Sequence, residues 1–156
     1  MSDKLLIQNV RPLGGDAVDL LIEDGRIRQM ATDIHAPPSP VQRIDGDNQL
    51  LLPGLVDAHA HVDKNLLGLP WHANRTPGPR IRDFVDNERR LRRELGISAQ
   101  VQSARQLETA IVAGTTHIRS HVDIDTEAGL THFEGVLATR EAFVGAVTMQ
   151  LVAFPQ

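Results

Sequence analysis

The chain contains no cysteine, which excludes disulfides, thiolate nucleophiles and Cys-ligated zinc or iron–sulfur sites. A transition metal bound here must rely on histidine and carboxylate ligands. Tyrosine is also absent and aromatic residues make up only 3% of the sequence, too few for a base-stacking platform. Charge of one sign is scarce: 16 basic against 20 acidic residues leave a formal net charge of −4, which excludes a broad electrostatic footprint for nucleic acid. No apolar run approaches the ~18 residues that span a bilayer. The start, MSDKLLIQNVRP, lacks the apolar core and small-residue cleavage pattern of a secretory signal. These absences lead us to expect a cytoplasmic protein without nucleic-acid or membrane partners. By length alone, 156 residues suit one ordinary domain.

What is present divides at Pro53-Gly54. Residues 4–10 and 18–22 are rich in Leu, Ile and Val and predict strands, with weaker candidates at 26–30 and 41–45. Asp24-Gly25 supplies a two-residue hairpin turn, and the proline-rich stretch 36–40 predicts a loop. Residues 1–53 are therefore expected to form a small antiparallel β-layer, too short to bury a good core alone. After Pro53 the pattern alternates. A strand is expected at 54–59, charged helix at 81–95, a helix after a Ser98 cap running to a Gly114 stop, a strand at 115–122, a helix with a Thr131/Glu134 capping box, and a strand at 147–154. Strands alternating with helices predict an α/β fold with a parallel sheet over residues 54–156.

Polar residues gather just past each of the three later strands: His59 and His61, then His121 and Asp123, then Gln156. Ligands bind at that end of parallel α/β sheets. In extended chain, residues i and i+2 project to one side, so His59 and His61 are placed to face one metal ion, and imidazole suits zinc, iron and nickel. His121 and Asp123 repeat the spacing, which leaves a second metal site open. Trp71, in the loop after the first of these strands, is a candidate for substrate contact or for packing. Asp57 is expected to hydrogen-bond near its strand end, Lys64 to form a salt bridge or line the pocket, and His117 to be a hydrogen-bonded core residue. His35 and His132 are expected at the surface. Six arginines stand against Asp83, Asp86, Glu88 and Glu94 over residues 80–94, a mixture that predicts a solvated helix face.

The run Leu52-Pro53-Gly54-Leu55-Val56-Asp57-Ala58-His59-Ala60-His61 resembles the entry motif of the amidohydrolase superfamily. The blocks His61-Val62-Asp63-Lys64, Ile118 to Asp125 and Gln150 to Gln156 resemble, in order, the cytosine deaminase branch. That branch includes the triazine-ring amidohydrolase acting on N-isopropylammelide. The resemblance implies a metal-dependent hydrolase on a (β/α)8 TIM barrel beside a β-sandwich, to which residues 1–53 contribute. It implies that His59 and His61 are ligands of a single metal ion, zinc or iron(II), that His121 and Asp123 support the site from the pocket floor, and that Gln156 binds the substrate ring. The implied reaction is deamination, or hydrolysis of a related non-peptide C–N bond, on a pyrimidine or similar nitrogen heterocycle. It further implies a third His ligand, a general-base Glu, another His and a metal-binding Asp on later strands, so the catalytic residues are expected downstream of Gln156.

A (β/α)8 barrel typically takes about 250 residues, more than the 156 of this chain. The expectation is a truncated barrel carrying its first three strands, inactive on its own, from an enzyme that forms a homo-oligomer. Two alternatives stay open: a cyclic-amide or triazine amidohydrolase of the same superfamily, or a noncatalytic binding or assembly module built from the start of a barrel.

Overall fold

The computed structural model describes residues 4–35, 40–73 and 75–155. Gln156 and positions 36–39 of the expected proline loop lie outside the described residues. The chain separates into two compact units, Met1–Pro53 and Gly54–Gln156. Together they give a mixed α/β fold.

The first unit holds strands β1 (Lys4–Pro12), β2 (Val18–Glu23), β3 (Arg26–Ala31) and β4 (Gln42–Leu51) in one sheet of order β3-β2-β1-β4. The β2–β3 hairpin turns at Asp24 and Gly25, both with positive φ (50° and 71°), the geometry that Asp-Gly supplies. The expectation of an antiparallel layer is corrected at one edge: β1 and β4 run parallel. The long connection between β3 and β4 permits this, because a parallel partner needs a crossover rather than a tight turn. Leu6, Leu21 and Ile34 form the core of this unit, with Ala31 and Val41 packed against them. Asp19 is buried there as well. Its carboxylate accepts hydrogen bonds from the Asn9 N–H at 2.9 Å and the Ile34 N–H at 3.2 Å.

The second unit contains β5 (Leu55–Ala60), α1 (Ile81–Glu94), α2 (Ala99–Val112), β6 (Thr115–Ile124), α3 (Thr131–Ala142) and β7 (Thr148–Pro155). Its three strands form a parallel sheet of order β5-β6-β7. On β6 the buried residues Ile118, Ser120 and Val122 alternate with the exposed Arg119, as the two-residue repeat of a strand requires. Ile118 and Val122 join Ala60, Val62, Leu107, Val136 and Val147 in the core, with Phe133, Phe143 and Met149 packed on it. The opposite face carries His117, Arg119 and His121, so polar groups occupy the side of β6 turned away from this core.

The helices start and stop largely for local reasons. Ser98 caps α2, its side chain accepting from the Val101 N–H, and Gly114 follows the helix at φ 91°, a conformation that favours glycine. The expected Thr131/Glu134 box does not form. Leu130 holds the cap position without a side-chain hydrogen bond, and Thr131 is already the first helical residue. Helices α2 and α3 meet where a Cβ added to Gly135 would lie 3.0 Å from the Gln100 backbone nitrogen, and where the Ser103 and Thr139 hydroxyls share a 2.7 Å hydrogen bond.

Candidate metal and substrate site

The C-terminal ends of β5, β6 and β7 bring together three imidazoles and a phenyl ring. His59 is the penultimate residue of β5, and His61 follows the strand directly. Their ring centroids are 5.4 Å apart. His121, near the end of β6, stacks on His59 at 4.4 Å with an interplanar angle of 26° and lies 5.7 Å from His61. Phe154 of β7 stands edge-on to His61 and His121 at 5.6 and 5.9 Å. Beside the His59/His61 pair that spacing along β5 predicted, the parallel pairing with β6 places a third histidine.

Electrostatics favour neutral imidazole at His61. Burial, and then the nearby Lys64 ammonium, hold His61 below the usual histidine value. The neutral ring has a nitrogen lone pair to offer an ion. His61 Nδ1 and His121 Nδ1 are buried without a hydrogen-bond partner, an arrangement that water or a ligand ordinarily relieves. The donor chemistry fits zinc or iron(II). Among the described residues no group of three His, Cys, Asp or Glu side chains is arranged to hold an ion, so these histidines fit part of a coordination sphere.

Behind the histidines lies a buried ionic network. Lys64 Nζ contacts both carboxylate oxygens of Asp123, at 3.1 and 3.0 Å, and Glu88 Oε1 at 3.1 Å. Arg92 reaches Asp123 Oδ2 and Asp125 Oδ2, each at 3.2 Å, and His132 Nδ1 at 3.1 Å. Arg89 lies 3.4 Å from Asp125. Burial pushes the Asp125 carboxyl up, but the N–H groups of Ala128 and Glu127 and the two guanidinium groups outweigh it, so Asp125 sits below the ordinary carboxylate value. Burial likewise raises Asp63, and the His132 ring, the Asp123 N–H and Lys64 overcome it, leaving a net lowering. At Glu88 desolvation prevails over Lys64 and the net shift is upward.

Two expectations are corrected by this network. The charged stretch is not a solvated face throughout: Asp83, Asn87 and Arg92 of α1 are buried, Arg92 because the carboxylates of Asp123 and Asp125 counter its charge, and Asp83 because the Arg80 N–H and guanidinium bond it at the helix start. His132 is half-buried and hydrogen-bonded rather than at the surface. Asp57, Lys64 and His35 stand where the sequence placed them: Asp57 Oδ1 accepts from the His59 N–H at 3.2 Å, Lys64 is ion-paired, and His35 is exposed. His117 is hydrogen-bonded as expected, to Thr148 Oγ1 at 2.6 Å, but it is half-buried on the face of β6 away from the core, because strand alternation gives the core face to Ile118. Trp71 is 86% exposed, while the neighbouring His72 lines a cavity of about 200 Å³ with Lys64, Leu66, Phe84, Glu88 and Leu91. Residues that sequence reasoning passed over are Ser120, Asp63 and Arg92. Only Asp63 carried a signal, continuing the i, i+2 alternation of His59 and His61.

No family model matches the chain. It is 30% identical over 159 residues to N-isopropylammelide isopropyl amidohydrolase of Pseudomonas sp. (strain ADP), a match covering 97% of this chain and 38% of that protein. It is 34% identical over 149 residues to 5-methylthioadenosine/S-adenosylhomocysteine deaminase of Pyrococcus furiosus, covering 84% of this chain and 33% of the relative. The crystal structure of N-isopropylammelide isopropylaminohydrolase from Burkholderia multivorans superimposes with a TM-score of 0.89 and 44% identity, over 99% of this chain and 38% of that one. The chain therefore spans little more than a third of the length of these relatives.

Proposed function

Because the chain belongs to the amidohydrolase superfamily, we propose that the complete protein is a metal-dependent hydrolase resembling the cytosine deaminase branch. It acts on the bond between a ring carbon and an exocyclic nitrogen of a pyrimidine, triazine or related heterocycle. In this reading residues 1–53 contribute to a β-sandwich, and β5, β6 and β7 open a (β/α)8 barrel whose ligand end is the C-terminal end of the strands. The protein is cytoplasmic and homo-oligomeric.

His59 and His61 hold a zinc or iron(II) ion, and His121 with Asp123 supports them from β6. The bound ion supplies Lewis-acid polarisation and water activation. His61, kept neutral by burial, presents a lone pair rather than a proton. His121 braces the His59 ring by stacking, and Phe154 stands edge-on against His61 and His121. Gln156 reads the substrate edge, since one amide offers both a donor and an acceptor to a paired ring C=O and N–H. In the net reaction a water oxygen becomes bonded to the ring carbon as the C–N bond breaks; one water hydrogen leaves on the ammonia or amine and the other stays on the ring product.

The observation that carries this reading is the convergence of three imidazoles from two parallel strands at their C-terminal ends. A second reading, removal of an alkylamine from a triazine ring, is favoured by the relatives named for N-isopropylammelide. One experiment tests both. The complete protein is assayed for bound metal, then for ammonia release from cytosine and isopropylamine release from N-isopropylammelide. Substantial metal in wild type that is lost in His59→Ala/His61→Ala, with release of either product, supports the hydrolase. Unchanged metal content in the double variant sinks the ligand assignment, and a metal-free protein without turnover favours a noncatalytic module.

A further inference from the structure

His61 lies beyond the β5–β6 pairing, whose register already shifts between Asp57 and Ala60, around His59. The pairing of β5 with β6 ends at Ala60 opposite Ser120, and a turn begins at Val62. The backbone bonds that fix side-chain direction along a strand therefore stop one residue before the second histidine. Buried side chains take their place. Ser120 Oγ accepts from the Val62 N–H at 3.1 Å, and its single proton is shared between the Ala60 and His121 carbonyls, each at 3.4 Å. Asp63 Oδ2 accepts from the Asp123 N–H at 3.1 Å. Beyond them Asn65 Nδ2 donates to the Val62 carbonyl at 2.9 Å and to the Gln102 carbonyl at 3.0 Å. Val62, Asp63, Ser120 and Asp123 are fully buried, so water does not compete for these bonds.

We propose that Ser120 and Asp63 are positioning residues for His61, two side-chain stitches that carry the β5–β6 pairing past the end of the ladder and so aim the imidazole. This rests on the metal-site reading above and adds to it the residues that build the site. The need is geometric. Two imidazoles share an ion only while their backbones stay in the extended relation that puts i and i+2 on one side, and the turn at Val62 would otherwise release the second. The Ser120 stitch holds Val62, next to His61, and the Asp63 stitch ties the second residue after His61 to the end of β6. Outer partners that orient ligands typically contribute about 10–100-fold to metal affinity.

The test measures zinc affinity of the complete protein by chelator competition, and the visible absorption of its cobalt(II) form. Circular dichroism verifies that each variant is folded at the working temperature. Asp63→Ala and Ser120→Ala are expected to lose roughly 10–100-fold in zinc affinity and to alter the cobalt spectrum while fully folded. Asp63→Asn keeps an acceptor oxygen for the Asp123 N–H and is expected to stay close to wild type. If Asp63→Ala does not fold, Ser120→Ala decides alone. A merely structural role lowers the melting temperature and leaves zinc affinity and spectrum unchanged, which overturns the proposal. A wild type that binds no zinc, or a His59→Ala/His61→Ala variant that binds it as before, overturns the metal reading and this inference together. Loss of zinc in the histidine variant with wild-type affinity in both stitch variants overturns the inference alone.

Discussion

Arg92 of α1 and Asp123 at the end of β6 meet at 3.2 Å with both side chains buried. Among the described residues, α1 brings no Cα within 8 Å of another helix or strand. The helix reaches the strand ends through long charged side chains: Arg92 to Asp123 and Asp125, Arg89 to Asp125, Arg93 to Glu127, and Glu88 to Lys64. Removing one member of a buried ion pair typically costs about 3–5 kcal/mol, because the remaining charge stays desolvated. Lys64 and Arg89 remain to serve the two aspartates, so Arg92→Leu is expected at the lower end, about 3 kcal/mol. Urea unfolding of the variant measures this, and a loss below about 0.5 kcal/mol, the range of ordinary surface substitutions, would contradict the network.

Acid should unpick the first unit through Asp19. The Asn9 N–H holds this carboxyl below its ordinary value against the opposing effect of burial, with the Ile34 N–H and Gln8 assisting. A depressed folded-state pKa means the unfolded chain binds the proton more tightly. The contribution of Asp19 is then complete above the unfolded value of about 3.9 and fades as pH falls through the lower folded value. Asp19→Ala is expected to cost about 1.5–3 kcal/mol at neutral pH, as hydrogen bonds to a charged group do. It should also flatten the acid limb of the stability profile. Denaturant midpoints from pH 7 to 2 for both proteins provide the check, and parallel profiles would refute the assignment.

Gly135→Ala sets helix propensity against packing. Alanine gains about 1 kcal/mol over glycine within a helix. Its Cβ, however, would press on the Gln100 backbone at 3.0 Å, and backbone yields less readily than the tip of a flexible side chain. Overpacking costs of about 1–3 kcal/mol outweigh the gain. A lower melting temperature is expected, and an increase would show that α2 and α3 separate easily.

Gln156→Ala probes substrate reading in the proposed enzyme. Loss of the amide should lower kcat/KM for a heterocycle with a paired C=O and N–H by roughly 10–100-fold, the equivalent of a well-made polar contact. Metal content should not change. An undiminished kcat/KM across a cytosine and triazine panel would remove Gln156 from the ring-binding role.

The elements of the fold were largely legible along the chain, because their causes are local. Asp24-Gly25 marks a hairpin, Ser98 and Gly114 bracket α2, and the apolar runs of β5, β6 and β7 alternate with helices. The candidate site was legible where spacing alone brings side chains together, as in His59 and His61. Stacking of His121 on His59 depends on the parallel register of β5 and β6, and strand-end polarity hinted only that the two are neighbours.

By itself, the sequence determined the chemistry on offer: histidine and carboxylate without thiolate, arranged at the ends of alternating strands. Tertiary structure alone decided which charges are solvated and which are not. Arg92 and His132 read as surface residues because their counter-charges, Asp63, Asp123 and Asp125, stand far from them in sequence and come within reach only when the chain folds. The same holds for Ser120 and Asp63. A buried hydroxyl or carboxylate is meaningful through the backbone group it satisfies, and that group belongs to another strand.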